Sequence, residues 1–115
     1  MLEDQTSQIE QDPMIRFYKL AAELTASNAP LIRIELKNLI ADGVRELVID
    51  MTDTRVIDSS GIGLLVATHN SLARLSGHLS LKNVSQELLE MLRAFRLDKH
   101  FKISGDPRLG QLIRM

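Results

Sequence analysis

Asp58-Ser59-Ser60-Gly61 sets a carboxylate and two hydroxyls directly before the apolar residues Ile62, Leu64 and Leu65. A Ser or Asp at such a boundary caps a helix, because its oxygen accepts from the free amides of the first turn. Ser59 is predicted at or next to that cap. The same position suits a second chemistry, acceptance of a phosphoryl group. A phosphate at a helix N-terminus meets free amides and the positive end of the dipole, so it leaves its own domain folded. It also adds nearly two negative charges beside Asp58. Gly61 and Gly63 are predicted to bare the backbone of this turn for the approach of another molecule. In a helix each costs up to about 1 kcal/mol relative to Ala, which a purely structural cap would not require.

Other chemistries can be assembled from the sequence, and each lacks a part. Asp50, Asp53 and Asp58 cluster near a predicted strand end, where carboxylates can bind magnesium or accept a phosphoryl group. A receiver-type site also needs an acidic pair after its first strand, and Lys19-Leu20-Ala21-Ala22 offers none. Thr52 stands where an Asp-x-Asp-x-Thr motif needs its second acid. His69, His78 and His100 have no ligand spacing such as His-x-x-x-His and read as surface or half-buried side chains. Ser59, His69 and Asp50 make a triad only on paper, without a Gly-x-Ser-x-Gly elbow. Gly61-x-Gly63 lacks the third glycine and the downstream acid of a dinucleotide site. No cofactor, no metal and no catalysis are expected.

Composition narrows the class. The chain has 115 residues, the length of one ordinary domain. Apolar residues make up 44% and charged residues 25%, which fits a globular chain with a core of its own. Fourteen Lys and Arg against 15 Asp and Glu leave no basic excess to hold a phosphate backbone, so nucleic acid is not an expected direct partner. Without cysteine, thiol nucleophiles, zinc-thiolate sites and disulfides are excluded. The start of the chain is acidic and polar, unlike a signal peptide, and the apolar runs are too short to span a bilayer. A cytoplasmic location is expected.

The elements that must position Ser59 follow from periodicity. Residues 1–13 read as a flexible arm, 14–104 as the folded domain and 105–115 as a tail. Met14 to Leu20 alternates as a strand near an edge, and Ala21 to Leu24 is predicted to pair back onto it. Ile32, Leu36, Leu39 and Ile40 trace an amphipathic helix that starts near Pro30 and ends at Asp42-Gly43. Glu46 to Met51 reads as a strand buried on both faces. Val56-Ile57 is a short apolar step into the second helix, whose inner stripe is predicted as Leu64, Leu65, Thr68, Leu72 and Leu75. His78 to Leu81 is a strand. Ser85 caps a third helix, with Val84 and Leu89 as a staple and with Leu88, Met91, Leu92 and Phe95 inside. Phe101 to Ile103 is a last strand. This alternation predicts an α/β fold with helices packed on a sheet.

Leu47-Val48-Ile49-Asp50 followed by Val56-Ile57-Asp58-Ser59-Ser60-Gly61-Ile62-Gly63 resembles the signature of STAS domains of the anti-sigma factor antagonist type. Ala22-Glu23-Leu24-Thr25 resembles the Gly-Glu-Leu-Asp segment of that family. Asn83-Val84-Ser85 and Phe95-Arg96-Leu97-Asp98-Lys99-His100-Phe101 resemble its later loop and helix end. The resemblance covers roughly residues 14 to 104. It implies a small mixed β-sheet of about five strands with three main helices on one face. It also implies a phospho-switch in which Ser59 is the acceptor. The partners it implies are a serine-kinase anti-sigma factor, bound when Ser59 is unmodified, and a separate serine phosphatase. The contact residues carried over are Glu23, Thr25, Asp58, Ser59, Ser60, Gly61 and Ile62. Ala22, Thr25 and Arg96 depart from the family's Gly, Asp and Gly, which bears on the partner's identity more than on the fold. STAS-like domains also serve as constitutive modules of signalling scaffolds and as accessory subunits of transporters. In that alternative Ser59 is only a cap.

Overall fold

The computed structural model describes residues 14–105; the predicted arm and nearly all of the predicted tail lie outside them. Four strands form the main sheet in the order β1 (Ile15–Lys19), β3 (Glu46–Asp50), β5 (His78–Val84), β6 (Lys102–Gly105), and every pairing is parallel. Parallel neighbours need a crossover, and each crossover holds a helix. They are α1 (Ala29–Ala41) between β1 and β3, α2 (Ser59–Arg74) between β3 and β5, and α3 (Gln86–Ala94) between β5 and β6. The strands are added in one direction only. Crossovers of one hand then stack the helices on one face of the sheet.

Burial follows from that layering. In β3, Leu47 and Ile49 are fully buried, while Val48 and Asp50 on the other face are half-exposed. The strand is therefore buried on one face, not on both as expected. Leu79 and Leu81 of β5 continue the covered face, where Leu36 of α1, Leu65 and Leu72 of α2 and Leu92 of α3 meet them in one core. Phe17 lies in register with Val48 on the open face and is 70% exposed, with the Lys82 ammonium 5.9 Å from its ring centre.

The α/β class and the three-helix layer agree with expectation. Three further details differ. Among the described residues the strands are six and all parallel. Leu75 and Phe95 are exposed, because both fall at helix C-caps, where the chain turns away from the core. The third difference matters most for the site. Residues 23–24 do not fold back onto β1. They form β2 (Glu23–Leu24), which pairs in parallel with β4 (Val56–Ile57). Leu20-Ala21-Ala22 offers none of the turn residues that a hairpin return needs. The chain leaves the main sheet there, and Ala22 O instead accepts from Arg55 N at 2.7 Å.

Candidate functional site

The two-stranded β2–β4 ribbon decides where Ser59 sits. β2 leads into α1 and β4 leads into α2, so pairing them sets the two helix N-termini side by side. Glu23 lies opposite Val56 and Leu24 opposite Ile57. Thr54 Oγ1 donates to Ala21 O at 2.8 Å, and Asp58 N donates to Leu24 O at 3.3 Å.

Asp58 is the residue that joins the two mouths. It is the N-cap of α2, in extended conformation, and its Oδ1 accepts from Gly61 N at 3.0 Å. Its Oδ2 accepts from Ala26 N, 32 residues earlier, at 3.0 Å. The amides of Ala26 and Gly61 hold its carboxyl below the usual carboxylate range. The cap therefore belongs to Asp58 and not to Ser59, which is the first residue of the helix and is exposed. Aspartate competes well for this role because it brings two acceptor oxygens and a full charge to the positive end of the helix. The Ser59 hydroxyl makes no hydrogen bond among the described residues and faces solvent.

Gly61 corrects the second expectation. It is buried, and a Cβ built on it would stand 2.3 Å from Leu24 O and 2.9 Å from Ile57 Cγ2. The missing side chain lets α2 press against the β2–β4 ribbon, not against another molecule. At Gly63 nothing lies within 4 Å of an added Cβ, so the space beside that backbone is open. Ser60 is exposed beside Ser59, and Ile62 is half-buried against the core.

Glu23 and Thr25 are brought to the same surface. Ser27 Oγ donates to Glu23 Oε1 at 2.8 Å, and the hydroxyls of Thr25 and Ser27 lie 2.8 Å apart. Asn28 organises this loop, a role not foreseen from the sequence. Its Nδ2 donates to Glu23 O at 2.7 Å, and its Oδ1 accepts from Thr25 N at 2.9 Å. The readable signal was an Asn two residues before Pro30, although its side chain turns back to the loop and does not cap α1.

The other candidate chemistries are dispersed. Asp50 Oδ1 accepts from Thr52 N and Asn83 Nδ2, each at 3.0 Å, and from the Thr52 hydroxyl. These bonds, with Thr52 foremost, hold its carboxyl below the ordinary value. Asp53 pairs with Lys19 at 3.4 Å. His69 stacks near His100 and Phe101, with ring centres 6.1 and 5.6 Å away. Ser59, His69 and Asp50 thus have separate surroundings and form no triad. Among the described residues no three acidic or imidazole groups are placed to hold a metal. No helix there is long and apolar enough to cross a membrane.

Comparison with known proteins agrees with this geometry. The STAS domain model matches residues 6–108. The anti-sigma-B factor antagonist of Bacillus subtilis (strain 168) is 32% identical over 91 residues, covering 79% of this chain and 83% of its own. In fold, the chain is similar to the anti-sigma factor antagonist SpoIIAA in its unphosphorylated form, with a TM-score of 0.67 at 19% identity over 89% of each chain. SpoIIAA of Bacillus in its phosphorylated form gives 0.65 at 18% identity, over 88% of this chain and 92% of that one. A sulfate transporter family protein from Wolinella succinogenes gives 0.67 at 17% identity over 88% of each chain. A parallel sheet with three helices on one face, a helix mouth opened by Asp-Ser-Ser-Gly and a curated relative at this identity lead to one conclusion: the chain belongs to the STAS domain family.

Proposed function

We propose that this protein is an anti-sigma factor antagonist worked as a phospho-switch, with Ser59 as the acceptor. The observation that carries the reading is the division between two neighbours. Asp58 caps α2 and ties the loops, while the Ser59 hydroxyl stands exposed with no bond to the fold. A kinase can reach such a hydroxyl, and modifying it breaks nothing internal. A phosphate there meets the positive end of a 16-residue helix, so the domain stays folded. The change falls beside Asp58 and Ser60, which together with Glu23, Thr25 and Ile62 make up the proposed contact set. Unmodified, that surface docks on a serine-kinase anti-sigma factor in the cytoplasm; modified, it lets go, and a serine phosphatase resets it. A like charge set against a desolvated acid costs several kcal/mol, and about 2.7 kcal/mol is already a hundredfold in affinity. The relatives support this reading. The curated one carries the antagonist name, and SpoIIAA is known in both phosphorylation states.

The test uses the ATPase-type anti-sigma factors of the same organism, each purified and incubated with this protein and ATP. Mass spectrometry is expected to place phosphate on Ser59, and Ser59→Asp is expected to weaken binding about a hundredfold. Equal labelling of Ser59→Ala and wild type would refute the site.

The likeness to a sulfate transporter family protein favours a second reading, a constitutive docking module. It predicts that Ser59→Asp binds its partner as tightly as wild type.

A further inference from the structure

The helices α1 and α2 enclose an open groove of about 580 Å³, lined at its α2 end by Ser60, the residue after Ser59. Ala29, Pro30 and Leu64 give it an apolar floor, and Ser60 and Gly63 form the α2 wall. Gly63 leaves that wall without a side chain, and a Cβ there meets nothing within 4 Å. The α1 wall carries one cation. Arg33 lines the groove, and Lys37, one turn further, lines its continuation along the same two helices. Neither side chain makes a hydrogen bond or ion pair among the described residues.

Residues i and i+4 have Cβ atoms about 5–6 Å apart on a helix face, so two cations there repel each other weakly unless a partner neutralises them. A bare glycine wall beside an apolar floor gives room for a bulky side chain, the type of anchor that dominates docking energy. From this we infer that the groove seats a segment of the anti-sigma factor that inserts one bulky apolar side chain over Gly63 and presents carboxylates to Arg33 and Lys37. The inference rests on the docking reading above and deepens it. It makes Arg33 and Gly63 specificity-determining residues. It also gives the switch a direction: phosphate on Ser59 puts negative charge next to Ser60, at the edge of a groove that receives an acidic segment, so like charges approach there.

Titration calorimetry with the purified ATPase-type anti-sigma factors of the same organism tests this, using wild type, Gly63→Leu, Arg33→Glu and Ser59→Asp. Gly63→Leu fills the groove without touching the core and is expected to melt no lower than wild type while binding at least tenfold more weakly. Arg33→Glu is expected to lose at least tenfold as well, and an acid-to-Lys change in the partner's segment is expected to recover most of that loss. If Gly63→Leu and Arg33→Glu both bind within twofold of wild type while Ser59→Asp is weakened, the groove assignment is wrong and the switch stands. If Ser59→Asp also binds as wild type, the switch falls. If no anti-sigma factor in the set binds wild type, both fall. Should Gly63→Leu melt lower than wild type, the Arg33→Glu pair with its partner rescue decides alone.

Discussion

Two glycines two residues apart, on opposite sides of the same helix, should respond to alanine in opposite senses. At Gly61 the added Cβ would stand 2.3 Å from Leu24 O and 2.9 Å from both Leu24 Cγ and Ile57 Cγ2. The first of these is backbone and cannot rotate away, so α2 or the β2 strand must shift. Overpacking of this kind costs about 1–3 kcal/mol. The better helix propensity of alanine offsets up to about 1 kcal/mol of it. A net loss of about 1–2 kcal/mol lowers Tm by about 3–12 °C at this chain length. At Gly63 no atom lies within 4 Å, so only the propensity acts, and stability rises by up to about 1 kcal/mol. Thermal unfolding followed by circular dichroism at one pH, with a urea titration beside it, reads both. The shift at residue 61 should also reach the Asp58–Ala26 bond, because Ala26 lies two residues after Leu24 at the end of β2. The amide of Ala26 should then lose protection from hydrogen exchange in Gly61→Ala and keep it in Gly63→Ala. If Gly61→Ala melts as high as Gly63→Ala, the close packing of α2 on the ribbon is refuted.

Three further outcomes follow from individual contacts. Ser59→Ala should change stability by no more than about 0.5 kcal/mol in urea, as for a surface residue outside the cap; a loss near 1 kcal/mol would return the cap to Ser59. The Asp50 carboxyl is lowered in the folded state, so its contribution is present above the ordinary value of 3.8 and is lost as pH falls below it. Asp50→Asn should therefore flatten the acid limb of a stability–pH curve, and an unchanged limb would show that Thr52 and Asn83 do not hold the ionised form. Tyr18 donates to the Glu35 carboxylate on α1, and burial together with that acid pushes its phenol from 10.0 up to about 12. A raised value in the folded state stabilises below pH 10.0 and is lost on the way to about 12, so Tyr18→Phe should remove the alkaline fall in stability across that window.

The main sheet and its helices were legible because their signals are local. Ile32 and Leu36 mark the buried side of α1, Leu47 and Ile49 the covered side of β3, and Ser85 accepts from Leu88 N as a cap should. The β2–β4 ribbon was not legible. Two strands of two residues carry no periodicity, and their partner lies more than 30 residues away. The true role of Gly61 depended on that pairing, since what excludes its side chain is the backbone of Leu24. The groove beside Ser60 was hidden for the same reason. Arg33 and Gly63 have no relation in sequence until β2 and β4 draw the two helix mouths together. Leu75 and Phe95 fit an apolar period but sit at C-caps, where the period no longer reports a face.

On the proposed reading, the ribbon also explains why a signal placed at Ser59 need not pass through the core. A cap made by Ser59 would tie the switch to the helix, since modifying the oxygen would change the bond that starts it. Here the cap bond and the loop bond both end on Asp58, and Gly61 N and Ile62 N are already satisfied by its side chain and carbonyl. The neighbouring hydroxyl can change charge while those bonds stay in place. The positive helix end compensates part of the added charge inside the domain. What is left uncompensated faces outward, over Ser60 and the groove that α1 shares. On the proposed reading, the energy of phosphorylation is therefore spent against the docking partner and not against the fold. The two quantities separate experimentally: stability should be nearly indifferent to the group at residue 59, while affinity should follow its charge.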